Sequence, residues 1–466
     1  MSHIKTFKLF CSFCRKDITD VSFDYYNNDL PICLQCKEII MNDPIDELAP
    51  IVMFDNVPVL QRDAKVLKYF EKELNLPLPA INLRNFFTED EVYGYLIEDN
   101  QVIGLGLDGA DLESISAIIM NLTNLKYLSL KNNSLTEIPD FVNSLTTLEI
   151  LDVTKNKLSI LPSLYNLDKL YHLSFQDNLI SNISNLPRNL QTLSGRWNKI
   201  KFITTKLPSS LKKINLAQNR LQEIPVHFGN LEQLEELNLY GNKLHKLPEV
   251  FTNLKKLKRL ILRVNEIENL PRSFENLLSL ETLDVEENKL TKLPSFENLE
   301  HLKFLNVSKN NLKKIEGLQH CKELLSLDIR DNKFENLELY GLKKLQVLDI
   351  SYNKFYSLPK GLESKIHLME CIVSGNNISK INKDKMENLF NLTRISLAKN
   401  YLETIPDLSK LKHLRELYLN DNNLKEFPEW IKKLDLRVLT LENNDFEEKE
   451  KDEYKLEYDS FNSWFD

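Results

Sequence analysis

The chain has 466 residues and a formal net charge of −8 at neutral pH, from 60 Lys and Arg against 68 Asp and Glu. This negative balance offers no general attraction for nucleic acid or for an anionic membrane, so we expect neither as a partner. The composition is biased, with 84 Leu and 49 Asn but only 11 Gly. So little Gly disfavours phosphate-binding loops, and so much Leu and Asn indicates that one small structural unit is repeated.

Two CxxC pairs lie near the start of the chain, Cys11 with Cys14 and Cys33 with Cys36, separated by 18 residues. Four thiolates at this spacing suit one tetrahedral structural Zn²⁺ per chain, with the intervening residues folding back as a hairpin. Two redox motifs or two disulfides are the alternatives, and a reducing cytosol disfavours both. A four-Cys site leaves no open coordination position, so we expect no catalysis by this metal.

The same segment resembles the N-terminal zinc-binding domain of the ClpX unfoldases. The resemblance is carried by LFCSFCRK at 9–16 and by PICLQC at 31–36, which leads into KEII. In that family the four Cys hold zinc in a treble-clef-like finger that can dimerise and bind adaptors. The resemblance therefore implies a zinc finger over residues 1–45, with dimerisation through it. Arg15 replaces the family's usual Gly and no ATPase motor follows, so zinc binding is the property carried over most directly.

Residues 46–100 are predicted to form a helical linker and a cap hairpin. Apolar residues at 66, 67, 70 and 74 have helical spacing, which predicts a helix over Asp63–Leu74 that ends before Pro77. Two strand-like runs, 93–97 and 102–105, flank a polar turn and predict a hairpin. A cap is needed here because the first unit of a repeat array otherwise exposes its Leu side chains to water.

The run Gly104–Gly109 matches GxGxxG, the dinucleotide-binding fingerprint. We interpret it as structural, because the repeat described below assigns Leu105 and Leu107 to the core. No regular βαβ unit follows, and no acidic residue stands about 20 residues further on to bind a ribose. The common nucleotide, metalloprotease and hydrolase motifs are absent as well. The sequence therefore predicts a protein that is not an enzyme and has no cofactor besides zinc.

From residue 101 to 446 one frame recurs, L-x-x-L-x-L-x-x-N-x-L, as in Leu125–Leu135. The key Asn of this frame returns at positions 133, 156, 178, 198, 219, 242, 265, 288, 310, 332, 353, 376, 400, 422 and 444. A weaker first copy with Ala110 in place of Asn brings the total to about sixteen repeats of about 22 residues.

This frame resembles the leucine-rich repeats. The resemblance implies an α/β fold, a solenoid of about sixteen repeats with a parallel sheet on its concave face. The Leu at the fourth and sixth positions enter the core, while the third, fifth, seventh and eighth positions point outward. We expect the Asn to replace Gly as the turning residue and to bond backbone groups of the turn. The return segments resemble the cytosolic class that includes Ras-group-related scaffolds and archaeal and bacterial proteins.

Most outward positions carry Ser, Asn, Asp or Lys, which indicates a solvated surface. We interpret the Asp that recurs at the fifth position as a feature of the repeat: Asp152, Asp284, Asp328 and Asp349. Five residues depart from this background and are predicted to grip a protein partner: Arg196, Trp197, Tyr240, Ile261 and Arg263. Trp, Tyr and Arg dominate interface hot spots because each combines a large contact area with a polar group. The alternative is that Trp197 only packs against its neighbours; a second candidate runs through Arg330, Tyr352 and Tyr418.

The start of the chain has no apolar run long enough for a signal peptide, and no stretch approaches a membrane span, so we expect a soluble cytoplasmic protein. Residues 447–466 are acidic and aromatic, which predicts a C-terminal cap or a partner-binding tail. The sequence as a whole predicts a non-enzymatic scaffold or adaptor that binds a protein partner on the concave face. The alternative is a regulatory subunit or effector of a small Ras-like GTPase or of a protein phosphatase, which the resemblance of the repeats implies.

Overall fold

A computed structural model describes residues 26–27, 30–31, 51–88 and 91–446. The chain divides into two compact units, an N-terminal unit of Met1–Leu221 and a C-terminal unit of Gln222–Asp466. The four cysteines of the predicted zinc site and the acidic residues 447–466 lie outside the described residues. Between the two CxxC pairs, β1 (Tyr26–Asn27) and β2 (Leu30–Pro31) pair antiparallel, which agrees with the hairpin predicted there.

A hairpin that we did not predict precedes the first helix. Strands β3 (Ile51–Phe54) and β4 (Val57–Leu60) pair antiparallel. They are joined by Asp55 and Asn56, both left-handed, with φ of 47° and 66°. Asp and Asn tolerate this conformation, and two successive left-handed residues form the turn whose twist suits a hairpin. Strands of four residues gave too little alternation to be recognised in the sequence.

The predicted helix is confirmed as α1 (Gln61–Leu74), which begins two residues earlier than expected. Its apolar residues Val66, Leu67 and Phe70 are buried, as the spacing indicated. Asp63 is buried too, and its carboxylate accepts the backbone N–H of Val102 at 2.8 Å. This bond fixes the helix to the first repeat. A short second helix, α2 (Leu83–Thr88), was not predicted.

The predicted cap hairpin is confirmed as β5 (Tyr93–Glu98) and β6 (Gln101–Leu107). It explains the glycines of the GxGxxG run. A Cβ at Gly104 would lie 2.9 Å from the Leu96 side chain, and one at Gly106 would lie 2.5 Å from Val92. The glycines therefore leave room for the Leu96 side chain and for Val92, which comes directly before β5. Leu105 and Leu107 are fully buried, in agreement with their predicted place in the core.

The N-terminal unit continues as a parallel sheet in which each repeat adds one short strand beside β6. These strands are β7 (Tyr127–Ser129), β8 (Ile150–Asp152), β9 (His172–Ser174), β11 (Thr192–Ser194) and β13 (Lys213–Asn215). The return segments of two repeats form a second, smaller parallel pair, β10 (Asn182–Ile183) and β12 (Phe202–Ile203). Stacking of the repeats, as predicted, is confirmed within this unit.

The C-terminal unit is a parallel sheet of ten strands in chain order. They are β14 (Glu236–Asn238), β15 (Arg259–Ile261), β16 (Thr282–Asp284), β17 (Phe304–Asn306), β18 (Ser326–Asp328), β19 (Val347–Asp349), β20 (Glu370–Ile372), β21 (Arg394–Ser396), β22 (Glu416–Tyr418) and β23 (Val438–Thr440). The middle residue of each strand is buried. The return segments contain 3₁₀ turns of three to five residues, such as Arg272–Asn276 after Pro271, because repeats of about 22 residues leave no room for a longer helix.

The backbone geometry that recurs in every repeat depends on its Asn. In the C-terminal unit the Asn310 amide donates to the carbonyls of Val285, Val307 and Ser308 at 3.0 to 3.1 Å, and its oxygen accepts the N–H of Leu290 at 2.9 Å. Asn178 makes the same four kinds of bond in the N-terminal unit. Each Asn therefore pairs backbone groups of its own repeat and of the preceding one that would otherwise be buried without a partner.

The expectation that this Asn is the turning residue was wrong. The left-handed residue is the one before it, at the eighth position, in all sixteen repeats. Only Gly109, Gly241 and Gly375 are glycines at that position. The Asn uses both its amide and its oxygen for bonds to the backbone. The residue before it adopts the left-handed conformation that makes the turn, whatever side chain it carries.

One buried residue departs from the core pattern. Lys365 ends a 3₁₀ turn at the position that Leu231, Leu254 and Leu277 occupy in earlier repeats. It is only 2% exposed, and its ammonium donates to the Ser364 hydroxyl at 3.0 Å. Burial lowers the pKa of this amine. The two cysteines of the repeats, Cys321 and Cys371, are fully buried and free, as expected for structural residues.

Candidate functional site

The outward positions of the strands form the surface on which a partner was expected. We call this surface the sheet face and define it as the third, fifth, seventh and eighth residues of each repeat. In both units these residues flank the buried middle residue of each strand and range from buried to exposed. The eighth residue stands where each strand turns, so its side chain lies at the rim of the face.

In the N-terminal unit the predicted partner-binding residues Arg196 and Trp197 form a stacked pair. The Arg196 guanidinium carbon lies 3.7 Å from the centroid of the Trp197 ring, and Trp197 is 49% exposed. Trp197 holds the left-handed eighth position, with φ of 55°. The Arg196 Nε atom is buried and has no hydrogen-bond partner within the described chain. The pair thus presents an exposed aromatic surface with a cation fixed against it.

In the C-terminal unit the predicted residues Tyr240, Ile261 and Arg263 are partly exposed and belong to the neighbouring repeats of β14 and β15. The Arg263 guanidinium carbon lies 4.4 Å from the centroid of the Tyr240 ring, and its Nε lies 4.0 Å from the Asp284 carboxylate. The next residue, Val264, is left-handed with φ of 55°. The structure therefore brings Tyr240 and Arg263 together, as the sequence indicated.

The second candidate set is less coherent. Arg330 forms ion pairs with Asp328 at 3.3 Å and with Glu286 at 3.7 Å. The Tyr418 hydroxyl donates a hydrogen bond to the Glu416 carboxylate at 3.0 Å. Tyr352 is 49% exposed and left-handed, with φ of 51°. These three candidates are held by separate neighbours, so they offer separate contacts and no single cluster.

Space for the Tyr352 ring comes from the following repeat. A Cβ at Gly375 would lie 2.6 Å from the ring of Tyr352. The Lys399 ammonium, one repeat further on, lies 5.9 Å from the ring centroid. Tyr352 is therefore an exposed aromatic side chain that its neighbours accommodate on the sheet face.

The recurring Asp of the fifth position serves the fold, which confirms its interpretation as a feature of the repeat. Each carboxylate accepts the backbone N–H two residues ahead, at 2.9 Å for Asp152, 3.1 Å for Asp284, 3.0 Å for Asp328 and 2.9 Å for Asp349. Such a bond satisfies a donor at the end of the strand. Burial, together with the neighbouring Asp349 charge, raises the pKa of Asp328 to about 6.

The part of the chain that the structure describes contains no group of three or more His, Cys, Asp or Glu arranged to hold a metal ion. Among the same residues, no helix is both long enough and apolar enough to cross a bilayer. The sheet face carries aromatic rings, guanidinium groups and hydrogen-bonding side chains, which are the groups that commonly contribute to protein interfaces.

Sequence reasoning missed the strain at the eighth position. The signal was available, because Trp197, Val264 and Tyr352 are the bulky aromatic or β-branched residues at a position otherwise held by Gly or by Asn, Asp, Gln, Glu and Lys. It was overlooked because the turn had been assigned to the Asn that follows.

The frame of the repeat matches known families. Residues 260–450 match the family described as leucine-rich repeat region, and residues 124–145, 210–231 and 233–254 match that described as leucine rich repeat. Together these matches cover more than half of the chain.

Solved structures are similar over most of the chain. The leucine-rich repeat protein LIC12759 of Leptospira interrogans is 29% identical, with a TM-score of 0.69, over 81% of this chain and 97% of that one. The ectodomain of the plant receptor kinase GASSHO1/SCHENGEN3 of Arabidopsis thaliana, solved in complex with CASPARIAN STRIP INTEGRITY FACTOR 2, is 26% identical, with a TM-score of 0.52. That match covers 72% of this chain and 49% of the receptor chain.

One curated relative, the human oligodendrocyte-myelin glycoprotein, is 36% identical over 78 residues. The match covers 16% of this chain and 17% of the relative, so the chain spans about a sixth of that protein's length. The ladder of buried Asn, the stacked parallel strands and these matches agree, and the chain is a leucine-rich repeat protein.

Proposed function

We propose that the chain is a non-enzymatic scaffold or adaptor that binds a protein partner on the sheet face, the concave face of the predicted solenoid. Arg196 and Trp197 supply the contact in the N-terminal unit. Tyr240, Ile261 and Arg263 supply it in the C-terminal unit. Leucine-rich repeat proteins generally mediate protein–protein interaction, and the proposal adds which residues of this chain do so.

The observation that carries the proposal is the choice of residue at the left-handed eighth position. A residue with a Cβ pays about 1–2 kcal/mol to adopt this conformation, and a β-branched side chain is particularly unfavourable there. Trp197 and Val264 nevertheless occupy it, beside the stacked Arg196 and Arg263. Strain that is kept at an exposed position supports a role in binding, because nothing in the repeat requires a bulky residue there.

The stacked pairs also reduce the cost of association. A long Arg side chain loses rotamer freedom when a partner orders it, at about 0.5–1.5 kcal/mol per side chain. Arg196 against Trp197 and Arg263 against Tyr240 are already ordered by the rings. A partner that covers either pair therefore gains contact area with little further loss of entropy, as at interface hot spots.

The receptor kinase described above, a chain of the same fold, is solved in complex with another polypeptide. This supports a polypeptide as the ligand. The cytoplasmic location stays a prediction.

The test is to capture partners with the full chain from native lysate and to measure the affinity of the captured partner for variants. Trp197→Ala combined with Arg263→Ala should weaken binding about 30-fold or more, as expected for two hot-spot residues. Arg188→Ala combined with Tyr165→Ala is the matched control, since both residues are exposed but lie on turns outside the sheet face. Unchanged affinity in a correctly folded Trp197 and Arg263 variant removes these residues from the site.

The identity of the captured protein decides between scaffold and regulator. Recovery of a small Ras-like GTPase or of a phosphatase, with its activity altered by the chain, would establish the alternative function. Recovery of other proteins without a change in their activity supports the scaffold.

We also propose that Cys11, Cys14, Cys33 and Cys36 hold one structural Zn²⁺ per chain, in a finger that can dimerise. The support is the spacing of the two CxxC pairs and the antiparallel pairing of β1 with β2 between them. Metal analysis of the purified protein should give about one Zn per chain. Absence of zinc, with four thiols that react freely in the native protein besides the buried Cys321 and Cys371, would contradict this proposal.

A further inference from the structure

One edge of the sheet in the C-terminal unit changes character along the repeats. We call it the entry edge and define it as the four residues that directly precede each strand. In the first repeats of this unit it is lined by a ladder of ion pairs that cross from one repeat to the next, Lys258 with Glu235 at 2.9 Å and Lys303 with Glu281 at 2.8 Å. These charges satisfy one another, so this part of the edge is solvated and offers little to a partner.

In the row of residues directly before each strand, the ladder stops after Lys303. The equivalent positions of the next four repeats carry Leu325, Gln346, Met369 and Thr393, which have no charge. There the entry edge forms an open groove with a volume of about 500 Å³, lined among others by Met369, His367 and Arg415. The groove therefore begins where the residues directly before the strands no longer form ion pairs with one another.

Met369, which lines the groove, is exposed, and so are Ile366 and Phe390, which directly precede the lining residues His367 and Asn391. Ile366 is 54% exposed, Met369 45% and Phe390 50%. Ile366 and Phe390 occupy a position that is Glu or Lys in six of the ten repeats of this unit. The Asn391 amide donates to the Ile366 carbonyl at 2.7 Å, which holds the turns that carry Ile366 and Phe390 side by side.

From Lys343 onward, the charged residues of the entry edge are mainly cationic. They are Lys343, Lys412, Arg415 and Arg437, with His367 and His413 among them, against Asp435. Arg415 lies 3.6 Å from Asp435 and also donates to the carbonyls of Lys412 and Leu414. The nearby Lys344 is paired with Glu323 at 2.6 Å. A cationic border in a chain whose net charge is −8 favours an acidic ligand.

We infer that this groove is a second binding surface, separate from the sheet face, and that it takes an acidic segment of a partner protein that places an apolar side chain between Ile366, Met369 and Phe390. The apolar side chain supplies the buried area, and carboxylates on either side meet the cations of the border. The inference goes beyond the proposed function, because it assigns a different surface and a ligand of stated chemistry.

Selection from a displayed library of random peptides of about 12 residues tests the inference on the full chain. Counter-selection uses the Met369→Glu and Phe390→Glu double variant. We expect enriched peptides to carry net negative charge and at least one large apolar residue, and to bind the double variant at least tenfold more weakly. Leu278→Glu is the matched control, because Leu278 has the same place in its repeat as Phe390 and is 48% exposed but lies beside the ion-pair ladder. It should leave binding unchanged.

Three outcomes of this selection on the full chain would overturn the inference. They are enrichment of cationic peptides, equal loss of binding in the Leu278 variant, and the absence of any enriched peptide that depends on Met369 and Phe390. Peptides that bind only after residues 447–466 have been deleted would assign the groove to the acidic end of the chain itself, and would also overturn the assignment to a partner. The Trp197 and Arg263 variant should retain the selected peptides, so failure here is distinguishable from failure of the proposed function.

Discussion

The two units use the same Asn ladder, but ion pairs between neighbouring repeats are more frequent in the C-terminal unit. In the N-terminal unit hydroxyl groups bridge the repeats, as when Thr147 donates to the Leu125 carbonyl at 2.8 Å and Ser210 donates to that of Leu190 at 2.7 Å. In the C-terminal unit Glu and Lys pair from repeat to repeat, as Glu281 does with Lys303 at 2.8 Å. The comparison teaches that the buried frame sets the fold, while the outward positions are free to set stability, solubility and binding.

The largest expected effect tests what the units share. Asn310→Ala removes four hydrogen bonds of a buried side chain and leaves backbone groups without partners, so it should lower the free energy of unfolding by about 3 kcal/mol. Asn178→Ala should cost about as much in the N-terminal unit. Hydrogen exchange read separately in each unit measures both losses. Asn311→Ala, next to the ladder, should change stability by about 0.5 kcal/mol at most.

The second prediction concerns the one Lys in the row of core Leu of the C-terminal unit. Lys365→Leu should raise the free energy of unfolding at neutral pH by about 1–2 kcal/mol, because it removes a buried ammonium and restores an apolar contact. The reverse change one repeat earlier, Leu342→Lys, should lower it by about 3 kcal/mol. Urea denaturation measures both. A loss of stability in Lys365→Leu would show that the amine makes a contact that the fold needs.

Lys365 should also make the free energy of unfolding depend on pH, and the direction of that dependence follows from its lowered pKa. Burial lowers its pKa in the folded state, whereas in the unfolded chain the pKa stays near 10.5. The unfolded chain then binds the proton more tightly, so this group makes stability rise with pH between its lowered pKa and about 10.5. Lys365→Leu should remove that rise. Parallel pH profiles of the two proteins in this range would contradict the account.

The third prediction concerns strain at the eighth position. Val264→Asn should stabilise the protein by about 1 kcal/mol, because Asn tolerates the left-handed backbone better than a β-branched residue. At Gly109, where a Cβ would meet nothing closer than 3.6 Å, Gly109→Ala should cost about 1 kcal/mol through φ alone. Thermal unfolding measures both. If Val264 is kept for binding, the stabilised variant should also bind the partner more weakly.

The smallest effect separates the two kinds of connection between repeats. The hydrogen bond from Lys303 lowers the pKa of Glu281, and Glu281→Gln should cost about 0.5 kcal/mol at low salt and almost nothing in about 1 M NaCl. Thr147→Val in the N-terminal unit should cost about 1 kcal/mol at both salt concentrations, since a neutral hydrogen bond is hardly screened. Urea denaturation at the two salt concentrations measures both. Equal salt dependence would remove the distinction between the units.

Much of the fold could be predicted because the positions of Leu and Asn in each repeat identify its core residues. The spacing of Leu and Asn located the main-sheet strand of each of the sixteen repeats, though not the small pair of β10 and β12, and the helical spacing of Val66, Leu67 and Phe70 located α1. The turn at the eighth position could not be read from residue type alone, because the residue before the Asn adopts it at Trp197 as well as at Gly241. The hairpin of β3 and β4 was missed because its strands are too short for a pattern.

The candidate site was predicted in part. The pairing of Arg263 with Tyr240 followed from their adjacent repeats, since neighbouring strands place equivalent residues about 4.8 Å apart. The groove at Met369 was not predicted. Its residues precede the strands, where the frame does not say whether a side chain is exposed, and only the structure shows that Ile366 and Phe390 remain uncovered.

The central claim is that a protein partner covers the sheet face. Hydroxyl-radical footprinting of the aromatic side chains, with and without the captured partner, tests it most directly. The account predicts that Trp197 and Tyr240 become protected from oxidation, while Tyr165 and Tyr340, exposed on turns outside the sheet face, do not. Protection of Tyr165 or Tyr340 with Trp197 and Tyr240 still fully oxidised would contradict it.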